Sequence, residues 1–329
     1  MKPSCSIIIR AYNEEQHLGK LLQGIASQTL QNVQVILVDS GSTDGTLAIA
    51  QDFNADIVHI KPEQFTFGRS LNLGINQAQA DVVILASAHV YPVYPDWLEK
   101  MMEPFEDPKV GLVYGKQSGC DTSKFSEIQV LRHWYPDVSD FDQSTPFCNN
   151  ANAGIRKSLW QSHPYDESLT GLEDLAWAKW VKQEGYHIAY SAEAEIVHVH
   201  QETWKGVYNR YRREGMAFKH INPEATFTFG EFLKALRENV QHDWHEARAQ
   251  QKLAKEWCNV VKFRACQFWG TYQGYRQSGP LTLKLKQTFY YPRTQLPLEN
   301  SNGRQGVKPI SYDEIPALGN NKENEHEIR

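Results

Sequence analysis

Apolar residues follow two rhythms along the first part of the chain. Apolar-rich runs at 6–10, 33–38, 56–60 and 81–86 show no helical period and read as strands, that at 81–86 as one buried on both faces. Between them, apolar residues recur at steps of three and four. Leu18, Leu21, Leu22, Ile25 and Ala26 make one such stripe, and helices are also expected over 47–53 and 70–79. Strands alternating with helices at this spacing predict parallel βαβ units, hence an α/β, doubly wound, mostly parallel sheet with helices on both faces. The run 81–90 is expected in the middle of that sheet, with its C-terminal tip where an open sheet holds its ligand.

The pattern then loosens. A helix over 95–106 and a strand over 110–114 are followed by 119–146, where mixed aromatic and polar residues read as a loop closing over something. Regularity returns at 152–155 and in a helix over 172–183 that Gly185 stops. Two strands are expected at 187–190 and 195–200, and then a basic, aromatic helix from about 204 to 220. After Asn222-Pro223 the texture changes. Residues 229–269 are mostly helical, with Phe232, Leu233, Leu236 and Val240 on one face. Beyond Leu296 the chain is rich in Asn, Gly, Pro and Glu, a composition that favours disorder. The expected division is a ligand-binding domain at 1–225, a helical C-terminal extension at 226–295 and a disordered tail at 296–329.

Charge and cysteines narrow the classes. A net charge of -5 argues against a general nucleic-acid binder, whose phosphate affinity needs clustered excess Lys and Arg. The five cysteines are odd in number and scattered, without a Cys-x-x-Cys pair, which points to free thiols in a reducing cytoplasm. The start has no signal-peptide layout, and no apolar run approaches the roughly 20 residues that span a bilayer.

Candidate chemistry gathers at the strand tips, because parallel strands deliver their C-terminal ends to one edge. Tyr12 to Glu14, Asp39, and Ser87-Ala88-His89 all occupy such ends. Asp39, before the Gly- and Ser-rich turn 40–46, suits hydrogen bonding to a base or a ribose, or equally an Asx-turn cap. That turn lacks a Lys and is not a phosphate-cradling P-loop. Glu173-Asp174 opens a helix, so the pair either complements the helix dipole or does acid–base work. His198 and His200 alternate along a strand and point to one face, as a structural pair or as metal ligands. Gln129 to Trp134 evokes the Gln-x-x-Arg-Trp motif of processive synthases. It has one residue too many before Trp134 and precedes the acidic pair, so processivity is rejected.

In order along the chain, these stretches resemble the inverting family 2 glycosyltransferases of the GT-A fold. Residues 6–15 look like the family's opening strand and turn, and Val38 to Thr46 is similar to its base- and ribose-holding motif. Gly68 to Gly74 is similar to the stretch before the metal strand, and Phe65-Thr66-Phe67-Gly68-Arg69 resembles the rhamnosyltransferase-like subset. The resemblance covers roughly 4–215. It implies transfer of a sugar from a nucleotide-diphosphate donor, UDP- or dTDP-linked, to an acceptor hydroxyl with inversion, in cell-surface polysaccharide synthesis. It implies Asp174 as general base beside Glu173, and Arg10, Tyr12, Glu14, Asp39, Arg69, Ser87 and Ala88 at the nucleotide. It further implies a saccharide or lipid-linked acceptor and a cytoplasmic enzyme peripheral to the membrane. One departure stands out: Ser87-Ala88-His89 replaces the family's Asp-x-Asp, which holds Mg²⁺ or Mn²⁺. A divalent cation then falls to His89, His198 and His200, and leaving charge also to the cations of the 204–220 helix. The loss of both aspartates motivates the rival reading of a catalytically silent module. A nucleotidyltransferase would want a Gly-rich basic loop that 10–20 does not offer.

Overall fold

The computed structural model describes residues 2–277, 307–308 and 310–312. Among these, eight strands form one sheet: β1 (Ser6–Ala11), β2 (Gln34–Asp39), β3 (Asp56–His59), β4 (Val82–Ser87), β5 (Val90–Pro92), β6 (Val110–Ser118), β7 (Asn152–Arg156) and β8 (His187–His198). Ten helices accompany them: α1 (Glu15–Ala26), α2 (Thr46–Asp52), α3 (Phe67–Gln77), α4 (Trp97–Met102), α5 (Phe125–Trp134), α6 (Lys157–Ser162), α7 (Glu173–Gln183), α8 (Trp204–Ile221), α9 (Phe229–Ala249) and α10 (Leu253–Arg276). The sheet order is β3-β2-β1-β4-β7-β6-β8-β5. β3, β2, β1 and β4 run parallel, as the alternation of strands and helices predicts, and β4 lies mid-sheet as expected. β7 runs antiparallel to both β4 and β6, and β5 antiparallel to β8, so the second half is mixed.

Alternation along each strand divides the interior into two layers. Ile8, Val38, Val83 and Leu85 face one core, closed by Leu71 and Ile75 of α3 and Trp177 of α7. Ile7, Ile9, Leu37, Ile84 and Ala86 face the other, closed by Leu18, Leu21 and Leu22 of α1 and Trp97 of α4. Each of these aliphatic side chains is fully buried or nearly so. Removing one down to Ala costs about 2–5 kcal/mol. A third, smaller cluster joins Phe125 of α5 to Val240, Ala247 and Val260 of α9 and α10. Inside it, Arg264 pairs bidentately with Asp243 at 2.8 Å through both bonds, fixing α10 against α9.

Three sequence expectations are corrected. The expected loop 119–146 contains α5, whose buried face mixes Phe125 and Leu131 with Ser126, Glu127 and Gln129. That polar content hides the helical period. The two strands expected over 187–200 are one strand, β8, which continues through the exposed Glu193 by means of register shifts against β6. The helix expected over 95–106 is α4 alone, since Pro104 turns the rest into a 3₁₀ segment, Glu103–Glu106. Residues 229–269 are mostly helical as expected, in two helices that part where Gln251 takes φ +57°. The expected 226–295 extension lies within the described residues only to 277, and most of the 296–329 tail lies outside them. Of that tail, Ile310 N–H donates to Val93 O at 3.1 Å and Tyr312 Oη to Pro92 O at 2.7 Å, so these residues sit against the β5 edge.

Candidate active site

The turns that leave β1 and β2 are laced together. Asn13, at φ +55°, accepts from Thr43 N–H at 2.8 Å, and Thr46 Oγ1 accepts from Glu14 N–H at 2.7 Å. Asp39 ends β2 with both carboxylate oxygens engaged by its own turn, at 3.0 Å from Gly41 N and 3.1 Å from Ser42 N. Gly41 at φ +94° is what lets that turn close. The Asx-turn role of Asp39 is thereby visible, at the same sheet edge as Tyr12. β1 lies between β2 and β4, and Arg10 pairs in register with Ser87, so the β1, β2 and β4 tips adjoin. Ala88 is buried beneath this rim. Arg69 stands apart on α3, half exposed, and donates to Glu167 at 3.2 Å.

The acidic pair is presented by a strained entry to α7. Leu172 precedes it in the left-handed region, at φ +55° and ψ +27°, a conformation costing a non-Gly residue about 1–3 kcal/mol. Glu173 is buried and accepts from Arg10 Nη1 at 3.3 Å. Asp174 is buried too, with Asn150 N–H donating to Oδ2 at 3.1 Å and Leu175 N–H to Oδ1 at 2.8 Å. Burial raises its pKa to about 7, helped by the negative Glu173 and opposed by those two backbone bonds and by Arg10. Phe67 stacks two guanidiniums beside the pair, Arg10 at 4.7 Å and Arg213 at 4.8 Å from its ring centre. A buried carboxyl that titrates near neutrality is suited to take a proton and give it up again.

A second group of side chains meets where β4, β6 and β8 end. His89, His198 and His200 pack ring against ring, with His198 5.3 Å from His89 and 4.0 Å from His200 between centres. Each ring is held at Nδ1 by an oxygen acceptor: Glu14 at 2.9 Å for His89, Gln117 at 2.7 Å for His198, and Glu127 at 2.7 Å for His200. Burial works against a charged His89, but Glu14 outweighs it and the pKa is raised. At His198, burial and the neighbouring His200, His89 and Arg210 push the pKa well below the usual imidazole range. Glu127 is buried, yet Arg210 and His200 bring its pKa down to about 2.

Neither Gln117 nor Glu127 was singled out by the sequence, because their role depends on which strand and helix lie beside the histidines. Asn150 was missed as well; it reaches Asp174 through its backbone, which leaves no signature in a side chain. One expectation is corrected. Arg210 was assigned with its helix to an incoming diphosphate, but it is held between Glu127 at 2.6 Å and Glu202 at 2.8 Å. Lys219 is likewise occupied, donating to the carbonyls of Pro223 and Ala225.

Comparison with known proteins gives the family of the chain. Residues 6–162 match the model of Glycosyl transferase family 2. An uncharacterized glycosyltransferase of Haemophilus influenzae is 30% identical over 230 residues, covering 64% of this chain and 70% of that protein. The chain belongs to the family 2 glycosyltransferases. The O-antigen chain rhamnosyltransferase WbaN of Salmonella anatum is 28% identical over 240 residues, 69% of this chain and 76% of its own. Among solved structures, a mannosyltransferase of Pyrobaculum calidifontis in complex with GDP-Man and Mn²⁺ superposes with a TM-score of 0.54. It is 17% identical and covers 84% of this chain and 85% of that one, a likeness of fold. This family 2 enzyme therefore has the GT-A-like sheet expected for it, followed by a helical C-terminal region.

The family's divalent cation can be tested against the residues present. An Asp-x-Asp pair is absent from the β4 tip, so the hard oxygen donors that Mg²⁺ prefers are missing there. What the site offers is imidazole nitrogen. One donor atom from each of His89, His198 and His200 lies within 4.8 Å of the others, and His198 Nε2 is buried without a hydrogen-bond partner. These residues fit an ion that accepts nitrogen ligands.

Proposed function

We propose that this glycosyltransferase moves a sugar from a nucleoside-diphosphate donor to an acceptor hydroxyl by a single displacement that inverts the anomeric carbon. The observation that carries this reading is Asp174, a buried carboxyl whose pKa is raised to about 7 next to an arginine-held Glu173. As the acceptor oxygen bonds to the anomeric carbon, Asp174 takes the hydroxyl proton. The bond from that carbon to the diphosphate oxygen breaks, and the nucleoside diphosphate leaves with the electron pair. Arg10 fixes Glu173, which keeps a second negative charge beside the base and so keeps its proton affinity high. Tyr12, Glu14, Asp39, Arg69, Ser87 and Ala88 are assigned to the nucleotide, since all but Arg69 adjoin along the β1, β2 and β4 tips, whereas Arg10, expected there too, is assigned to Glu173 instead. His89, His198 and His200 are assigned to the diphosphate end, where a bound divalent cation would stabilise developing charge as a Lewis acid. A base tuned in this way favours catalysis over the silent-module reading.

For the donor, similarity to a rhamnosyltransferase supports a rhamnosyl group on a UDP- or dTDP-carrier, and an acceptor within a cell-surface polysaccharide. The test is release of nucleoside diphosphate from UDP-, dTDP- and GDP-sugars, alone and with acceptor saccharide. Failure of every donor with wild-type protein, while nucleotide binding persists, overturns the transferase reading.

The C-terminal helices support a site of work at a membrane face, on an acceptor that is lipid-linked. No helix among the described residues is long and apolar enough to cross a bilayer. From Trp204 to Gln277, however, thirteen Lys and Arg stand against seven Asp and Glu, in a chain whose net charge is -5. The same helices leave Phe229, Leu233, Trp257 and Trp269 exposed, and an open apolar groove of about 460 Å³ runs between Trp204 and Phe232. Basic charge with exposed aromatics suits an anionic lipid surface. Co-sedimentation with anionic but not neutral vesicles, weakened by salt, is the expected result; indifference to lipid charge would remove this part of the reading.

A further inference from the structure

We infer that His89, His198 and His200 form a three-nitrogen site for a transition-metal ion of the Zn²⁺ or Co²⁺ kind, with Gln117, Glu127 and Glu14 fixing the rings. This deepens the proposed function by naming the ion its diphosphate end holds. It stands on three observations independent of the transfer reaction.

The first is convergence: one donor atom from each histidine falls within 4.8 Å of the other two. The second is tautomer control. Carboxylate and amide oxygens are acceptors, so a ring held at Nδ1 by Glu14, Gln117 or Glu127 carries its proton there. In the neutral ring that leaves Nε2 as a lone pair, the form a metal requires. Outer groups of this sort, holding the far nitrogen of a ligating histidine, are what orient such ligands. The third is an unmet demand. His198 is buried, and its Nε2 finds no hydrogen-bond partner among the described residues. A buried nitrogen without a partner is costly and calls for an explanation; a bound ion supplies one.

The donor set also decides which ion. Three imidazoles match the three-ligand arrangement of zinc sites that keep a fourth position open. Mg²⁺ wants oxygen ligands in near-ideal octahedral geometry and is expected to bind poorly. Neutral ligands bring a further consequence. Two aspartates would cancel the charge of a divalent ion by direct ligation, whereas three neutral imidazoles add no negative charge to its inner shell. The carboxylates of Glu14 and Glu127 stand one ring further out, so the open position still faces the leaving diphosphate with net positive charge in its inner shell, the place where a transferase needs it.

The experiment uses metal-stripped full-length protein and the metal alone, without sugar donor. Titrated Co²⁺ is expected to give a visible d–d absorption that saturates at one ion per chain and is displaced by Zn²⁺ but not by equimolar Mg²⁺. His89→Ala, at the most exposed of the three ligands, should keep the fold by circular dichroism and lose Co²⁺ affinity by 10²-fold or more. Gln117→Leu, which removes only the acceptor behind His198, should weaken binding roughly 10–100-fold. No stoichiometric Co²⁺ spectrum, Mg²⁺ binding as tight as Zn²⁺, or wild-type affinity in folded His89→Ala would each overturn the assignment. Because the readout is binding by the protein itself, any of these leaves the transfer reaction standing. Conversely, a silent donor screen leaves the metal site standing.

Discussion

The acidic pocket and the imidazole cluster adjoin the same sheet edge and are held by opposite means. Asp174 is kept by backbone N–H groups and surrounded by burial and a like charge, so the fold opposes its ionisation. Glu127 is just as buried, but Arg210 and His200 face it, so there the fold enforces ionisation. A carboxyl set against its surroundings is ready to exchange a proton; one satisfied by them positions its neighbours. Burial alone distinguishes neither, and the partners decide.

The comparison breaks most visibly in stability. Glu127→Ala removes one partner from a buried charged set and leaves Arg210 and His200 facing a void, at a cost of about 3–5 kcal/mol. Asp174→Asn relieves a disfavoured buried charge but turns one of two backbone-bonded acceptor oxygens into a donor, so its melting temperature should fall less than that of Glu127→Ala. Thermal unfolding of the two variants side by side checks this, and equal losses would erase the distinction.

Activity should divide the other way. Asp174→Asn keeps the shape but removes the proton acceptor, so kcat for transfer should fall by about 10²-fold or more, with nucleotide affinity unchanged. Turnover like that of wild type would place the base elsewhere. At the nucleotide edge, Asp39→Ala should weaken nucleoside diphosphate binding by about 1.5–3 kcal/mol, the worth of a charge-assisted hydrogen bond. Unchanged affinity by calorimetry would leave Asp39 with its turn alone.

The finest test is the pH profile. The active base is the deprotonated form, so kcat/KM should climb as pH rises toward about 7 and level off above it. Glu173→Gln removes the neighbouring negative charge and should move that midpoint to lower pH; a midpoint that stays put would mean burial acts unaided. The same group has a stability signature. Its folded pKa exceeds the unfolded value of 3.8, so its contribution is present below that value and is lost as pH rises through about 7.

Much of this molecule was legible before its structure. The runs of β1, β2 and β4 are aliphatic on both faces, which only a sheet with two covered sides can use. Tyr12, Asp39 and His89 followed from knowing that parallel strands end together. Legibility failed where partners come from far along the chain. Glu127 sits in a stretch read as loop, because α5 buries Ser126 and Gln129 with its apolar residues. Gln117 gains its meaning only when β6 lies beside β8, where it pairs with Ile196 near His198. Arg210 looked like a cation waiting for a ligand until α8 set it against Glu127 and Glu202.

β7 runs against its neighbours, and that reversal changes what the rim is made of. Strands β1, β2 and β4 reach the ligand edge as the chain departs the sheet; β7 reaches it as the chain comes in. The residues just before β7 thus arrive at the rim with their amides forward, and Asn150 meets Asp174 in this way. The departing turns of β1 and β2 are tied to each other by their own hydrogen bonds. The arriving loop is tied instead to the acidic pair: one residue lost between 147 and 151 would either drag Asn150 from the carboxylate or slip β7 by a step. Such a slip would turn Ala153 and Ile155 from one core toward the other. The tolerance of this short segment to insertion is thus tied to the proton affinity of a side chain more than twenty residues downstream.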